Sequence, residues 1–417
     1  MEPLEPLGAG EAGDILLCCG SQQEFLGMGT EPPLSQTPRR LDMSFAAPGE
    51  AFCQIAAGAL HSLALTTNGK VYSWGVSDRG QLGRTVEDAG MAKEEEEECS
   101  SVPRIVHFQQ MAAGDRIFYV GCGECFSCAL SQFGRVYVWG ELRYKNNMLP
   151  MAFASQEELK RPTLLPLPHM QKNERVTELA QEGLGPRTTA RWLKVAEVGC
   201  FDMDFTAVWA CGYLSFAMGR KKRGGDGAQH LYAWGLNNTG QIADYKETKE
   251  GEADDKGLRF IQEFPKVAEK FDAVLPAGSR WVGFTGEQHV LALTSCGRVF
   301  AVGRGKDYVL GTGEEENVVK RPVMVDLPGN RRVTGVTVGD RKSFVWTRFG
   351  EVYAWGANNE GELGLGETET VEVPAQVMSN HLHDEDKGEW AKVLQVSAGA
   401  QHTVFLAKRT LVDPKGP

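Results

Sequence analysis

The sequence predicts an all-β protein in which a repeated unit closes into a ring. The clearest copy is Ile55–Arg84, where alternating apolar residues run to a turn at Asn68-Gly69. A second alternating run, Val71–Trp74, follows that turn, and the copy ends in a Gly80–Gly83 turn. An Asn-Gly pair between two alternating runs is a strong hairpin signal. Because one hairpin cannot bury its apolar face alone, we expect the chain to repeat it.

Further copies of this repeat follow along the chain. Each opens on a glycine, and these are Gly123, Gly212, Gly286, Gly339 and Gly399. The last copy has only its first strand, whereas Asp14–Gly29 has the strand and the Leu-Gly ending that this copy lacks. An N-terminal strand that completes the last repeat predicts a closed ring, which leaves no exposed sheet edge at its ends. An open solenoid, the alternative, would need polar caps at both ends.

The repeat spans nearly all of the 417 residues, so we predict one domain over 13–409. Residues 1–12 are predicted to be a disordered tail, 410–417 a C-terminal tail and 85–102 an acidic loop within the domain. The net charge of −11 argues against a surface that binds nucleic acid throughout. The chain lacks a signal-peptide layout and an apolar run of about 18 residues, so we expect a soluble intracellular protein.

Three cysteines form a CxxCxxC spacing at Cys122, Cys125 and Cys128. The spacing could suggest a metal site, but in a strand it sends consecutive thiols to opposite faces. Since no His or Cys cluster nearby completes a tetrahedral set, we interpret them as small core residues and predict no metal and no cofactor.

The repeat pattern breaks in three places. The step from Gly123 to Gly212 is 89 residues and contains an irregular insert, 148–206. Either this insert is a long connector, or a whole repeat has degenerated or been lost there. The loop Arg220–Arg223 is either a nuclear-import or polyanion patch or a solvated hairpin tip. At Glu141–Asn147 a polar segment replaces the usual tight turn, and we expect it to project.

The pattern Gly-x-x-His-[Ser/Thr], turn-Gly-x-Val-Tyr-x-Trp-Gly and Gly-x-Leu-Gly resembles the regulator of chromosome condensation repeat. Three local strings, Ser279–Val290, Gly134–Asn147 and Val396–Lys408, resemble the members of that family that exchange nucleotide on the small GTPase Ran. The resemblance implies a closed β-propeller with seven blades, of which six are recognisable here.

The resemblance also implies a mechanism without bond chemistry. A GTPase can hold its nucleotide at about picomolar affinity, roughly 16 kcal/mol. An exchange factor binds the empty GTPase so tightly that protein and nucleotide weaken each other's binding reciprocally. A projecting wedge and a polar face accomplish this in the family. The chain is therefore predicted not to be an enzyme of covalent chemistry but a guanine nucleotide exchange factor.

Candidate residues come from positions that match the family. Glu124 and His289 match residues that support exchange, and Glu124 differs from the family's Asp by one methylene. The projecting segment supplies Glu141, Arg143, Asn146 and Asn147 as predicted GTPase contacts. Other predicted contacts occupy the strand-start register of the remaining repeats, namely His61, His402, Asp340 and Glu287. For the histidines, an alternative interpretation is that they satisfy backbone groups between blades.

Some features depart from the family. The family's chromatin-binding tail is basic, but Met1–Arg39 has no Lys or Arg before Arg39, which makes nucleosome docking through this segment doubtful. The basic stretch Arg187–Lys194 could serve instead. Because six repeats are recognisable where the family has seven, a non-catalytic scaffold is the alternative function. A propeller enzyme is a remote third, because no convergent catalytic cluster is visible. We expect a monomer in the nucleus, the cytoplasm or both, with a Ran-type GTPase as partner and no membrane contact.

Overall fold

The computed structural model describes 11–21, 26–29, 34–84, 101–109, 111–141, 158–164, 203–211, 214–221, 228–243, 261–384 and 389–411. Within these ranges the chain forms six antiparallel sheets. The chain divides into two compact units. The larger unit comprises Met1–Leu165, Lys306–Glu315 and Val325–Pro417, and the smaller comprises Pro166–Gly305 and Glu316–Met324.

We number the six sheets in the order in which their repeats follow one another along the chain. The larger unit contains sheets 1, 2, 5 and 6. Sheet 1 consists of β3 (Phe52–Ala57), β4 (His61–Thr66), β5 (Val71–Gly75) and β6 (Arg104–Val106). Sheet 2 consists of β7 (Ile117–Cys122), β8 (Phe126–Ser131), β9 (Val136–Glu141) and β10 (Glu158–Leu164). Sheet 5 consists of β19 (Val333–Gly339), β20 (Lys342–Thr347), β21 (Val352–Gly356) and β22 (Val371–Gln376). Sheet 6 consists, in spatial order, of β2 (Leu34–Arg40), β1 (Ile15–Ser21), β25 (His402–Thr410), β24 (Glu389–Ala398) and β23 (His383–Asp384).

The smaller unit contains two sheets. Sheet 3 consists of β11 (Met203–Cys211), β12 (Leu214–Lys221), β13 (His230–Leu236) and β14 (Ile261–Val267). Sheet 4 consists of β15 (Trp281–Gly286), β16 (His289–Thr294), β17 (Val299–Gly305) and β18 (Glu316–Met324). A single helical turn, α1 (Glu269–Asp272), places the buried Phe271 in the hydrophobic core formed by residues of sheets 3 and 4. In the part of the chain that the structure describes, no helix is long and apolar enough to cross a membrane.

The N-terminal strand completes the last repeat, as the sequence predicts. Strand β1 pairs antiparallel with β25, with Ile15 opposite Ala407 and Gly20 opposite His402. Both neighbouring strands are buried along most of their length. The first and last strands of the described chain therefore share one sheet, and the pairing leaves neither as a free edge.

Each repeat contributes four strands and not only the predicted hairpin. The hairpin is the middle pair, for example β4 and β5, with its turn at Gly69 (φ +81°). The strand before each opening glycine and the strand after each Gly-x-Leu-Gly turn were not predicted. One of these unpredicted strands, β2, lies in 31–48. The irregular insert 148–206 contains another, β10, and the start of β11. Residues 148–157 and 165–202 of that insert, the second half of the loop Arg220–Arg223 and residues 85–100 of the acidic loop lie outside the described residues.

The outermost strands escaped prediction because proline and bulges interrupt their alternation. In five of these outermost strands the pairing with the third strand of the sheet has a register shift. The shift lies opposite the residue just before the glycine with which the repeat's Trp-Gly position ends, here called the closing glycine. Each of these five strands also contains a proline, and the five are Pro38, Pro162, Pro265, Pro322 and Pro374. Proline has no N–H to offer an added strand, so it protects an exposed edge from association with another chain.

The Trp-Gly signature reflects backbone geometry at the end of the third strand. The closing glycines of all six sheets have φ between +96° and +122°, a region that favours glycine. At Gly75 a Cβ atom would lie 2.4 Å from the Leu60 carbonyl oxygen and 2.6 Å from the His61 Cα. The glycine is therefore required both by its φ and by the close approach of the neighbouring strand.

We expect Gly75→Ala to cost more than about 3 kcal/mol of the free energy of unfolding, because strain at positive φ adds to a backbone overlap. Gly134→Ala is the matched control. Gly134 has φ +77°, but a Cβ there would meet no atom within 4 Å, so it should cost only about 1 kcal/mol. Urea unfolding of both variants measures the difference. Equal losses would contradict the backbone-overlap explanation.

The tryptophan and the Gly-x-Leu-Gly turn meet across neighbouring sheets. Trp139 of sheet 2 is fully buried and donates from its indole Nε1 to the Gln81 carbonyl oxygen of the sheet 1 turn, at 2.8 Å. In that turn Gly83 leaves room for the indole ring, because a Cβ there would lie 2.7 Å from Nε1. Trp355 makes the same bond to the Val309 carbonyl, also at 2.8 Å. The two halves of the signature thus form one contact between consecutive repeats.

Candidate functional site

The turns that open the repeats meet at one end of the larger unit. Ala59 of sheet 1 donates its backbone N–H to the Glu124 carbonyl of sheet 2, at 3.2 Å. Ala400 of sheet 6 donates to the Ala59 carbonyl at 3.0 Å. Lys342 of sheet 5 donates from Nζ to the Ala400 carbonyl at 2.6 Å. Four strand-start turns are therefore linked into a hydrogen-bonded arc, which we call the turn arc.

Acidic side chains occupy both ends of the turn arc. Glu124 is exposed at the sheet 2 end, and Asp340 is exposed at the sheet 5 end. Arg341, beside Asp340, lies 3.9 Å from its carboxylate and 3.7 Å from that of Asp307. Arg341 and Asp340 are exposed and Asp307 is partly buried. Ion pairs at a solvated surface contribute little to stability, so the charges of Arg341 and Asp340 are available to a partner.

A second acidic group lies next to Glu124. Glu141 ends β9, and its backbone N–H donates to the Cys125 carbonyl at 2.9 Å. Arg79 of the sheet 1 turn lies 3.6 Å from the Glu141 carboxylate and 3.6 Å from that of Asp78. Burial raises the pKa of the Cys125 thiol, and the carboxylates of Glu124, Asp78 and Glu141 raise it further. The structure therefore brings two predicted residues, Glu124 and Glu141, to the same patch.

The other predicted contacts of the projecting segment, Arg143, Asn146 and Asn147, lie outside the described residues. Glu287 lies in the smaller unit, in the turn that opens β16. It is partly buried, and its carbonyl oxygen accepts a hydrogen bond from Gln241 Nε2 at 3.2 Å. Because Glu287 directly follows an opening glycine, it occupies the same position in its repeat as Glu124 and Asp340 do in theirs.

The predicted histidines are not on the surface. His61 is fully buried, and its Nε2 lies 2.8 Å from the Ser127 hydroxyl of the next sheet. Ser127 donates its own hydrogen to the Gln81 carbonyl at 3.0 Å, so His61 must donate from Nε2–H to Ser127. No partner for His61 Nδ1 is found among the described residues. Burial lowers the pKa of His61 to about 4, which keeps the imidazole neutral.

His402 and His289 are buried in the same way. His402 Nε2 lies 2.8 Å from the Ser62 hydroxyl of sheet 1, and burial lowers the pKa of His402 to about 3. Burial also lowers the pKa of His289 to about 3. The expectation that these three histidines offer their side chains at an accessible face is wrong, because the neighbouring strands enclose them. The alternative interpretation, a role between blades, fits His61 and His402, because each contacts a serine hydroxyl of the next sheet.

Sheet 5 replaces this histidine with Lys342, which is only 1% exposed. The turn position occupied by Gln81 in sheet 1 is here Glu362, which is 4% exposed. Burial lowers the pKa of Lys342 to about 8, and the Glu362 carboxylate is the strongest influence in the opposite direction. A neutral His and Gln in one repeat thus correspond to a buried Lys and Glu in another.

The cysteines of the CxxCxxC spacing lie beside this region. Cys122 ends β7 and donates from Sγ to the Ala56 carbonyl at 3.5 Å, and Cys128 lies in β8. Burial raises the pKa of both thiols. Cys125 lies in the turn between these strands and not within a strand, so the strand interpretation is wrong for this residue. Among the side chains that the structure describes, no group of three His, Cys, Asp or Glu could hold a metal ion.

Sequence reasoning missed several residues of this region. Asp78, Arg79 and Arg341 adjoin the acidic side chains, and Lys342 anchors the turn arc. Each lies in a turn or at a strand start that the repeat alignment had already located. The signal that could have found them is the departure of a charged residue from the repeat pattern at those positions.

The repeats of this chain match the repeat of a known protein family. The regulator of chromosome condensation repeat matches 68–130, 296–346 and 350–406, and a second model of the same repeat matches 52–81. The chain is 24% identical to the regulator of chromosome condensation of Xenopus laevis over 95% of this chain and 90% of that protein. The chain is a divergent member of this repeat family. Its fold is an all-β propeller.

Other comparisons show how widely this family's fold is shared. The crystal structure of Prp20p from Saccharomyces cerevisiae matches with a TM-score of 0.71 at 19% identity, over 98% of this chain and 96% of that one. Its published description names binding to Gsp1p and histones. The human E3 ubiquitin-protein ligase HERC2 is 27% identical over 84% of this chain but only 6% of its own length. Family membership therefore establishes the propeller and leaves the activity to the residues of the site.

Proposed function

We propose that this propeller is a guanine nucleotide exchange factor for a small GTPase of the Ran type. The observation that carries the proposal is the pair of exposed carboxylates, Glu124 and Asp340, presented on the turn arc of a regulator of chromosome condensation propeller. The likeness to the Xenopus regulator over 95% of the chain supports it. The proposed action is displacement of nucleotide by protein contacts, with no covalent step.

The charge arrangement suits a partner with basic and amide groups at its nucleotide site. Glu124 and Glu141 flank Cys125, and Arg79 supplies one positive charge to the same patch. Carboxylates exposed on a preformed turn can accept hydrogen bonds without first being ordered, which reduces the entropic cost of binding. Such groups hold the nucleotide-free conformation of the GTPase, and this conformation binds nucleotide weakly because the coupling is reciprocal.

The three buried histidines enter this proposal as supports of the fold and not as contacts. Arg143, Asn146 and Asn147 follow Glu141 in the sequence, and we propose them as contacts on the strength of the family resemblance alone. Glu287 is proposed as a further contact from its position after an opening glycine. These assignments predict that activity depends more on the exposed acids than on any imidazole.

We expect Glu124→Gln to lower the rate of GDP release from Ran at least about tenfold, which corresponds to about 1.4 kcal/mol, because the variant loses a charged contact and keeps its shape. Release of a fluorescent GDP from Ran measures it. Glu369→Gln is the matched control, since Glu369 is also exposed but lies between β21 and β22 and not in a turn that opens a repeat. No acceleration by the intact chain, at concentrations where it binds Ran, would refute the proposed function.

A non-catalytic scaffold is the second candidate. It is favoured by the comparable identity to a ubiquitin ligase, since one fold can serve unrelated activities. Affinity capture from a nuclear extract that returns other partners, together with no acceleration of GDP release, would establish the scaffold. We propose the nucleus as the place of action, by analogy with the chromatin proteins of the family. The absence of Lys and Arg before Arg39 argues against nucleosome contact through the N-terminal segment, and the basic stretch Arg187–Lys194 lies outside the described residues.

A further inference from the structure

One buried side chain connects the two acidic ends of the candidate site. The turn arc runs from Lys342 through Ala400 and Ala59 to Glu124, with bond lengths of 2.6, 3.0 and 3.2 Å. Its last two bonds join backbone groups and are independent of side-chain identity. The first bond is different, because its donor is the Lys342 ammonium.

The lysine is specific to this repeat. His61 and His402, in the same register of sheets 1 and 6, each place Nε2 2.8 Å from a serine hydroxyl of the following sheet. Only a long side chain can reach the Ala400 carbonyl from this position. Glu362 is also buried, at 4% exposed, and the negative charge of its carboxylate offsets the positive charge of Lys342. A lysine in the interior is rare unless it is compensated, so the pair indicates a function at this junction.

The position of Lys342 relates that junction to Asp340. Lys342 begins β20 two residues after Asp340, and its backbone pairs with Gly339 and Gly356. The turn carrying Asp340 and Arg341 is therefore fixed at one end by the strand ladder. Through Nζ the same residue fixes the Gly399–Gln401 turn of sheet 6. That turn packs closely against sheet 1, because a Cβ on Gly399 would lie only 2.5 Å from the Gly58 carbonyl oxygen.

We propose that Lys342 is a positioning residue that sets the spacing between Asp340 and Glu124 by anchoring the turn arc. It does not touch the partner, since it is buried. Its Nζ holds the Ala400 carbonyl, the Ala400 N–H holds Ala59, and the Ala59 N–H holds the turn that carries Glu124. This inference rests on the proposed function for its consequence in exchange, but the arc itself can be tested without any GTPase.

The test compares Glu362→Gln with the double variant Lys342→Met, Glu362→Gln. Both lack the buried carboxylate, so neither leaves a lone negative charge in the interior, and they differ only in the Nζ donor. Amide hydrogen exchange of the two proteins reads the arc directly. We expect the Ala400 and Ala59 amides to exchange about tenfold faster in the double variant, because loss of one bond loosens the next. The Val345 amide in β20 is the internal reference. Unchanged exchange at Ala400 and Ala59 would overturn the proposal.

The link to function is tested by adding Glu124→Gln to both proteins and measuring GDP release from Ran. A positioning role predicts that Glu124→Gln loses at least threefold less activity when Lys342 is absent, because the carboxylate is already misplaced. An equal loss in both backgrounds would contradict coupling between the residues. If the Glu362→Gln protein and the unmodified chain both fail to accelerate release, the proposed function fails, and the hydrogen exchange result still decides the arc.

Discussion

Lowering the pH from 7 to 5 is expected to remove about 6 kcal/mol from the free energy of unfolding, about 2 kcal/mol for each of three buried histidines. His61, His289 and His402 are at most 1% exposed, and burial lowers their pKa values to about 4, 3 and 3. In the unfolded chain an imidazole has a pKa of about 6.5. The loss is comparable to the total stability of many domains.

The direction of this effect follows from proton binding. Between the folded and unfolded pKa values the unfolded chain binds a proton at each histidine and the folded chain does not. The stabilising contribution is therefore complete above pH 6.5 and is lost as the pH falls towards 4 and 3. His61 shows the physical cause, since its Nε2–H is committed to Ser127 and a proton on the enclosed Nδ1 would have no described acceptor.

Urea unfolding at pH 7 and pH 5 measures the change. His61→Gln should reduce the pH dependence by about 2 kcal/mol, because glutamine can donate to Ser127 but does not titrate. His107→Gln is the control, since His107 is exposed in the segment after β6. A pH dependence that is the same in the original chain and in His61→Gln would show that this histidine is not held neutral by burial.

Lys342→Met is expected to cost about 3 to 5 kcal/mol of the free energy of unfolding, because it leaves the Glu362 carboxylate buried without its compensating charge. The same change also removes the 2.6 Å hydrogen bond to the Ala400 carbonyl. Glu362→Gln should cost less, about 1 to 2 kcal/mol, because burial already lowers the pKa of Lys342 to about 8 and the amine can release its proton.

The double variant distinguishes a charge pair from two independent residues. Adding Glu362→Gln to Lys342→Met should recover about 2 kcal/mol of the free energy of unfolding, because it removes the buried charge that the first substitution left uncompensated. The four proteins form a double-mutant cycle measured by urea unfolding at pH 7. Costs that simply add would mean that Lys342 and Glu362 do not compensate each other across the junction of sheets 5 and 6.

The sequence was sufficient for the middle of each repeat. The alternation around Asn68-Gly69 predicts the hairpin, and the structure confirms β4 and β5 there. Asp14–Gly29 was likewise predicted to complete the last repeat, and β1 does pair with β25. These predictions succeed because hairpins depend on local turn chemistry and on the two-residue period of a strand. The outer strands β2 and β10 escaped because proline and a bulge disrupt that period.

The sequence likewise predicted some features of the candidate site and not others. The acids Glu124 and Asp340 were located by their place after an opening glycine, and the structure presents both on exposed turns. The histidines occupy an equally regular place in sequence, yet the side chain lies between sheets. A repeat register gives the position of a residue along the chain, but burial depends on the sheet that packs against it.

The sequence by itself determined the all-β class, the repeat, and the completion of the last repeat by the N-terminal strand, because each follows from periodicity and turn chemistry within about thirty residues. Only the tertiary structure decided which residues of the common register stay buried, and that hydrogen bonds link Lys342 to the Glu124 carbonyl through Ala400 and Ala59. Those contacts join residues from opposite ends of the chain, and no local pattern encodes the neighbour that a side chain will meet across a sheet junction.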